Sequence, residues 1–220
     1  MYLPIKTGRL MIGALCVALA GCGTVDPVAY SGIASSSQLA PNQQDDSGRI
    51  PYRYASAVDW RTYNKIIIEP VTIYRGPDNQ FGGISEEDKA ELAGYMQAQI
   101  TEKLRKRFTL VGDSGPKTLR LRLTLTGATT TMPVLGTFTH LDLAGNLYNG
   151  VQAVRGEEGA LAGAVIYAAE IYDASTNRLL SAFITKQYPG PLNIMASFGS
   201  LAAAKTGIEK GTNALVAQMQ

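Results

Sequence analysis

Apolar and polar side chains alternate most cleanly over residues 118–127. There Leu119, Leu121, Leu123 and Leu125 face one way, and Arg120, Arg122, Thr124 and Thr126 the other. The pattern predicts a strand with one buried and one polar face. Its arginine pair reads as solvated surface, with an anionic glycan or partner as the functional alternative. A β-branched and aliphatic run over residues 65–73 predicts a buried strand, and Pro70 within it marks an edge or a bulge. Ser85 followed by Glu86, Glu87 and Asp88 is a helix-start signature. After it Leu92, Met96, Ile100, Leu104 and Phe108 recur every four residues on one helical face. Lys103, Arg105, Lys106 and Arg107 close that helix where its dipole is negative, and the same four cations have a second reading as a contact for anionic headgroups.

Residues 163–172 and 179–188 are two further strand candidates, separated by Asp173-Ala174-Ser175-Thr176-Asn177-Arg178, a polar link that predicts a hairpin. Residues 196–220 have a helical pattern that Gly207 and Gly211 weaken. Together these elements predict an α/β (α+β) fold, a small mixed sheet of about four strands with helices packed mainly on one face. If the first two strands are parallel, the helix between them should cross over right-handed. Residues 128–160, with glycine-spaced Leu135, Phe138, Leu141, Leu143, Leu147, Tyr148, Val151 and Val154, match no element well. They read either as core packing or as an interaction surface, including one through which copies of the chain would assemble.

The N-terminus follows a different logic. Lys6 and Arg9 precede an uncharged apolar run over residues 10–20, too short to span a bilayer, which needs about 20 apolar residues. Small residues then lead into Cys22. Leu19-Ala20-Gly21-Cys22 resembles a bacterial lipobox, in which the small residues admit the chain to the lipoprotein signal peptidase and the cysteine thiol accepts a diacylglycerol. The resemblance implies that residues 1–21 are a lipoprotein signal peptide and that Cys22 becomes the lipidated, palmitate-bearing N-terminus. Two or three acyl chains anchor stably where one does not. Gly23 is not the aspartate that commonly retains lipoproteins in the inner membrane. The expected location is therefore the outer membrane, with the domain facing the periplasm. Residues 23–50 lack periodicity and carry Ser, Gly, Pro, Asn, Gln and Asp. They predict a flexible tether of about 28 residues spanning roughly 30 Å. The expected organisation is thus a signal peptide over 1–21, acylated cysteine and tether over 22–51, and one periplasmic-type domain over 52–220.

Composition narrows the chemistry. The formal net charge of +2 rests on 20 basic against 18 acidic residues, and removing Lys6 and Arg9 with the signal peptide leaves a neutral chain. A neutral chain has no electrostatic footprint for nucleic acid. Of the two cysteines, Cys16 leaves with the signal peptide, so the mature chain has neither a disulfide nor a free thiol. One histidine forms no histidine cluster, and Asp45-Asp46, Glu86-Glu87-Asp88 and Glu157-Glu158 lack metal-ligand spacing. Gly112-Asp113-Ser114-Gly115-Pro116 is similar to the nucleophile loop of chymotrypsin-like proteases, but the sole histidine, His140, follows the serine instead of preceding it. Asp142 lies two residues beyond His140, on the same face of any strand there. The five residues are equally a helix-to-strand turn. No catalytic residue, cofactor or metal site is expected.

Three stretches carry a family resemblance. They are Asp59-Trp60, Tyr63 and residues 65–71; Gly115-Pro116 with residues 119–126; and Glu170, Asp173 and Thr176-Asn177. The chain, from about Tyr52 onward, resembles a family of bacterial lipoproteins known as domain of unknown function 3313. Asn177 stands where glycine is expected in the hairpin turn, and asparagine also tolerates the left-handed conformation. The family brings no catalytic residues. The expected function is a lipid-anchored, non-catalytic binding or accessory module in outer-membrane assembly, transport or secretion. Its expected partners are the membrane, through the anchor, and an envelope protein or glycan. A membrane-tethered hydrolase using Ser114 near His140, or convergent carboxylates, is the alternative. Oligomeric state is left open.

Overall fold

The computed structural model of the chain describes residues 25–130, 163–190, 193 and 199–220. Within them eight strands form one mixed sheet: β1 (Ala40–Pro41), β2 (Tyr52–Ala55), β3 (Lys65–Ile68), β4 (Thr72–Ile73), β5 (Thr109–Leu110), β6 (Thr118–Thr129), β7 (Ala164–Asp173) and β8 (Leu179–Gln187). Their spatial order is β1-β2-β8-β7-β6-β3-β5, with β4 also paired to β6. Among the described residues two α-helices accompany the sheet, α1 (Glu86–Leu104) and α2 (Ala202–Gln218).

The expected sheet of about four strands is corrected to eight. Part of the difference is Pro70, which has no N–H to give a ladder. The aliphatic run therefore splits into β3 and β4, each parallel to β6. The remaining extra strands, β1, β2 and β5, are two, four and two residues long, too short to display alternation. β6, β7 and β8 form an antiparallel meander at the centre. β6 ends at Thr129 directly opposite Ala164, the first residue of β7. Most of residues 128–160 lie outside the described residues.

The helices pack on one face. Ser85 caps α1, its Oγ accepting a hydrogen bond from the Asp88 N–H at 3.0 Å. Leu92, Met96, Ile100 and Leu104, four apart on one face of α1, are buried against Leu119, Leu121, Leu123 and Leu125 of β6, and Phe108, expected on the same helical face, joins that core from beyond the helix end at Leu104. α2 adds Ala204, Ile208 and Leu215 to the same core. Of the four cations expected to close α1 only Lys103 lies in its last turn; it and Arg107, in the turn that follows, tie the two helices together. Lys103 Nζ donates to Asn213 Oδ1 at 2.7 Å, and Arg107 donates to the carbonyl oxygens of Met219 and Trp60, both at 3.1 Å.

The β7–β8 hairpin forms where expected, with Asn177 at φ 58° in the turn. Asp173 organises it, accepting from the N–H and hydroxyl of Ser175, the N–H and hydroxyl of Thr176, and, across the sheet end, the Tyr63 hydroxyl. Burial pushes the Asp173 carboxyl up, but these hydrogen bonds outweigh it and hold the group well below the usual carboxylate range. The folded protein therefore releases this proton at a lower pH than the unfolded chain. The stabilisation is complete above the unfolded value, about 3.9, and fades as pH falls toward the folded one. Asp173→Asn should cost about 1–3 kcal/mol at neutral pH. Urea titrations should show that deficit unchanged from pH 8 to pH 5 and shrinking below about pH 4.

The opposite face of the sheet is not solvated. Residues 25–41 run across it, with Tyr30 1% and Ile33 7% exposed. They pack with Tyr74, Ile166, Ala168 and Ile184, and Val25, Leu39 and Tyr52 join at the edges. The Tyr30 ring meets Tyr74 edge-on at 5.5 Å, and its hydroxyl donates to Gln80 Oε1. Residues 40–41 then pair with β2, whose other neighbour is β8. The structure thus differs from the expected flexible tether: from Val25 onward this segment is part of the folded body. Its composition is poor in apolar residues, but the sheet supplies a ready surface for the few it has.

Candidate functional site

Where the N-terminal segment crosses the centre of the sheet, it lies over a cluster of charges. Arg120 and Arg122, two apart on β6, project to the same side. Register places Tyr172 opposite Arg120 and Glu170 opposite Arg122 on β7. Glu69, just past β3, completes the group, because its N–H bonds to the Leu121 carbonyl and so brings its side chain beside both arginines.

Arg122 Nε donates to Glu69 Oε2 at 2.8 Å, and Arg120 Nε lies 3.3 Å from Glu69 Oε1. Arg122 Nη1 is 4.0 Å from Glu170 Oε2. Glu170 is 1% exposed. It accepts from the Ser35 N–H at 2.7 Å and from the Tyr172 hydroxyl at 3.1 Å. One buried carboxylate therefore fastens the N-terminal segment to the sheet. The Arg120 guanidinium lies 4.8 Å from the centre of the Tyr172 ring and also donates to Asn177 Oδ1. Burial, then the neighbouring Glu170 charge, pushes the Tyr172 hydroxyl up to about 12, so it stays a neutral donor. The Glu69 hydrogen bond raises Arg122 further above its already high value.

Two openings flank the segment. A cleft of about 580 Å³ lies between residues 31–34 and the β4 turn, with Arg122, Thr124 and Glu170 among its walls. A second, of about 360 Å³, is lined by Gln38, Arg120, Tyr172 and Asn177. Ala34 and Arg122 border both. The arrangement offers fixed guanidinium donors, carboxylate and hydroxyl acceptors and an aromatic ring, with formal charges balanced. That is the equipment of polar recognition.

The residues singled out by the sequence separate as follows. Arg120 and Arg122, read as solvated, are instead paired and partly covered, because Glu69 and the N-terminal segment come from distant parts of the chain. Glu69, Glu170 and Ser35 are not candidates for this site from the sequence, although Glu69 and Glu170 both belong to the family pattern. The local hint for Glu170 is a carboxylate within the otherwise uncharged run of residues 164–172. Ser114 is exposed in the loop between β5 and β6. His140, Asp142, Glu157 and Glu158 lie outside the described residues, as does Cys22. Among the described residues, no group of three His, Cys, Asp or Glu side chains converges in a way that would hold a metal ion. Nor, among them, is any helix long and apolar enough to cross a membrane.

The family model described as "Protein of unknown function (DUF3313)" matches residues 29–215. The chain belongs to this family. The match begins within the segment that covers the sheet, one residue before Tyr30, so the family's extent includes this strap as well as the sheet and helices. Two similar proteins are the uncharacterized lipoprotein YdcL of Escherichia coli strain K12 and its counterpart in Escherichia coli O157:H7. Each is 25% identical over 179 residues, covering 78% of this chain and 78% of the relative. Among solved structures, two PelC dodecamers from Paraburkholderia phytofirmans align at 8% and 9% identity, each with a TM-score of 0.38. They cover 72% of this chain and 89% and 90% of theirs.

Proposed function

We propose that this DUF3313 member is a lipid-anchored envelope protein, acylated at Cys22 in the outer membrane and facing the periplasm. In this reading it acts as a non-catalytic binding or accessory module in outer-membrane assembly, transport or secretion. The lipobox at residues 19–22 and the name of the Escherichia coli relatives support the anchor. The observation that carries the binding role is the Arg120–Arg122–Glu69–Glu170 cluster between two clefts, built from donors and acceptors and held rigid by its own salt bridges. Rigid, charge-balanced groups orient a polar partner without reorganising, which lowers the cost of association. The partner is an envelope protein or glycan that presents a short polar segment to the clefts.

The test combines location with contact. Membrane fractionation should place the native chain with the outer membrane and Cys22→Ser in the soluble or unprocessed fraction. A photo-crosslinking residue at Gln38 or Thr72, on the cleft rims, should give a discrete adduct in intact cells. The same residue at exposed Glu102 on α1 should give none. Equal adducts at all three positions would overturn the cleft as the binding site. Native chain in the soluble fraction would overturn the anchor.

A further inference from the structure

The distance between the anchor and the folded body sets how the protein sits on its membrane, and this inference rests on the proposed acylation of Cys22. Only Gly23 and Thr24 separate Cys22 from Val25, which packs against the Tyr30 cluster. Three Cα-to-Cα steps span at most about 11 Å. Asp26 is held in turn, its carbonyl accepting from Gln80 Nε2 at 2.8 Å. The body therefore cannot stand off the bilayer by the roughly 30 Å that a free coil of about 28 residues would allow.

The same contacts say which end of the body is held there. Gln80 bridges to Gly127 near the C-terminal end of β6, and its N–H bonds to the Thr126 carbonyl. Ser31 and Gly32 bond to Asp78 and to the Tyr74 hydroxyl, in the same turn region. From there the segment runs across the sheet toward Glu170 and then Leu39, beside Tyr172 and Leu179. Its first residues, Val25 to Val28, and residues 76–80 thus lie together at one end of the sheet. Trp60 lies at the other, its carbonyl bonded to Arg107, with neighbouring Asn64 bonded to Lys117 just before β6 begins. A 12-residue β6 separates the two ends by about 36 Å at about 3.3 Å per residue.

The geometry points to the Val28/Asp78 end as a membrane-docking face, seated on the headgroups of the bilayer that holds the Cys22 acyl chains. Asp26 and Asp78 against Arg75 give this end no net attraction for anionic lipid, and its exposed Val28 offers too little apolar area to insert alone. The covalent lipid therefore does the holding, and the short connection does the orienting. Trp60 and the basic C-terminal end of α1 point away from the bilayer.

The sole tryptophan makes this measurable. Purified acylated chain is reconstituted in phosphatidylethanolamine/phosphatidylglycerol vesicles carrying a nitroxide on the headgroup. Trp60 in the native chain should be quenched little. The Val28→Trp reporter, in a Trp60→Phe background, should be quenched at least twofold more. Inserting 20 Gly/Ser residues between Thr24 and Val25 should return that reporter to the Trp60 level. Equal quenching at the two positions overturns the proposed orientation. Quenching that survives the insertion shows that the face binds lipid by itself and overturns the role of the short connection. The mass of the N-terminal peptide separates the two readings: acylated chain without the difference in quenching sinks this inference alone, whereas absence of acyl mass sinks it together with the anchor.

Discussion

Replacing Tyr30 with alanine is expected to lower the free energy of unfolding by about 3–5 kcal/mol, the cost of truncating a large aromatic that is buried and well packed. The residue lies in a stretch whose composition reads as coil, so on sequence grounds the same change would be neutral. Its ring is 1% exposed, meets Tyr74 edge-on, and closes the cluster formed with Ile33, Ile166, Ala168 and Ile184. Loss of the ring leaves a cavity and also unpairs Gln80 Oε1 from its tyrosine donor. The segment would then peel from the sheet at this end, while the Ser35–Glu170 hydrogen bond and the β1–β2 pairing hold the other. Two measurements check this. The urea midpoint should fall, and limited proteolysis should open new sites within residues 25–34 ahead of any cut in the sheet. A loss below about 1 kcal/mol with no new cleavage would mean that the segment is not held by its side chains.

The second large effect comes from glycine, and its sign depends on location. Gly94 and Gly211 both lie inside helices, where glycine costs about 1 kcal/mol relative to alanine. A Cβ at Gly94 would meet nothing within 4 Å. Gly94→Ala should therefore stabilise the protein by about 0.5–1 kcal/mol. A Cβ at Gly211 would lie 2.1 Å from the Tyr167 hydroxyl oxygen and 3.0 Å from Cγ of Gln187. Tyr167 is 3% exposed inside the core and has no room to swing aside. Gly211→Ala should therefore destabilise by about 2–4 kcal/mol, overpacking outweighing the gain in helix propensity. Tyr167→Phe deletes the clashing oxygen and leaves the ring carbon at 3.1 Å. Combined with Gly211→Ala it should recover part of the loss, a coupling of at least about 1 kcal/mol in a double-mutant cycle. Strict additivity would show that α2 does not sit on Tyr167 as closely as described.

Most of the elements facing the helices were legible because each is long enough to repeat its own period. α1 announces itself by Ser85 and by apolar residues four apart; β6 by four leucines at every second position; the β7–β8 hairpin by Asp173 and Asn177. In each case the information is local, since the residues that form the element also carry its signal. β1, β2 and β5 cover at most two periods of alternation, too few to stand out, and their pairing partners alone make them strands. The weakness that Gly207 and Gly211 lend to the α2 pattern has the same origin. Those glycines satisfy a helix-to-sheet distance, and that distance exists only once β7 and β8 are in place.

The candidate site was half legible for the same reason. Arg120 and Arg122 stood out as a pair on the polar face of β6, but whether they meet water, lipid or carboxylates is not written within β6. Glu69 arrives from 53 positions away from Arg122, and Ser35 reaches Glu170 across 135. Contacts of that separation leave no periodic trace. The N-terminal segment is the clearest case. Its amino acids alone give a stretch that resembles a lipobox, followed by a polar, aperiodic stretch with scattered Tyr30, Ile33 and Leu39. Only the folded sheet turns those three residues into anchors, because burial requires a surface to be buried against, and that surface is assembled from β4, β7 and β8. The strand and helix periods and the N-terminal signal are properties of neighbouring residues and could be read in order. The hold of Val25 and Asp26 on the body, and the strap that fastens over the arginines, come from distant residues meeting, and this happens only in three dimensions.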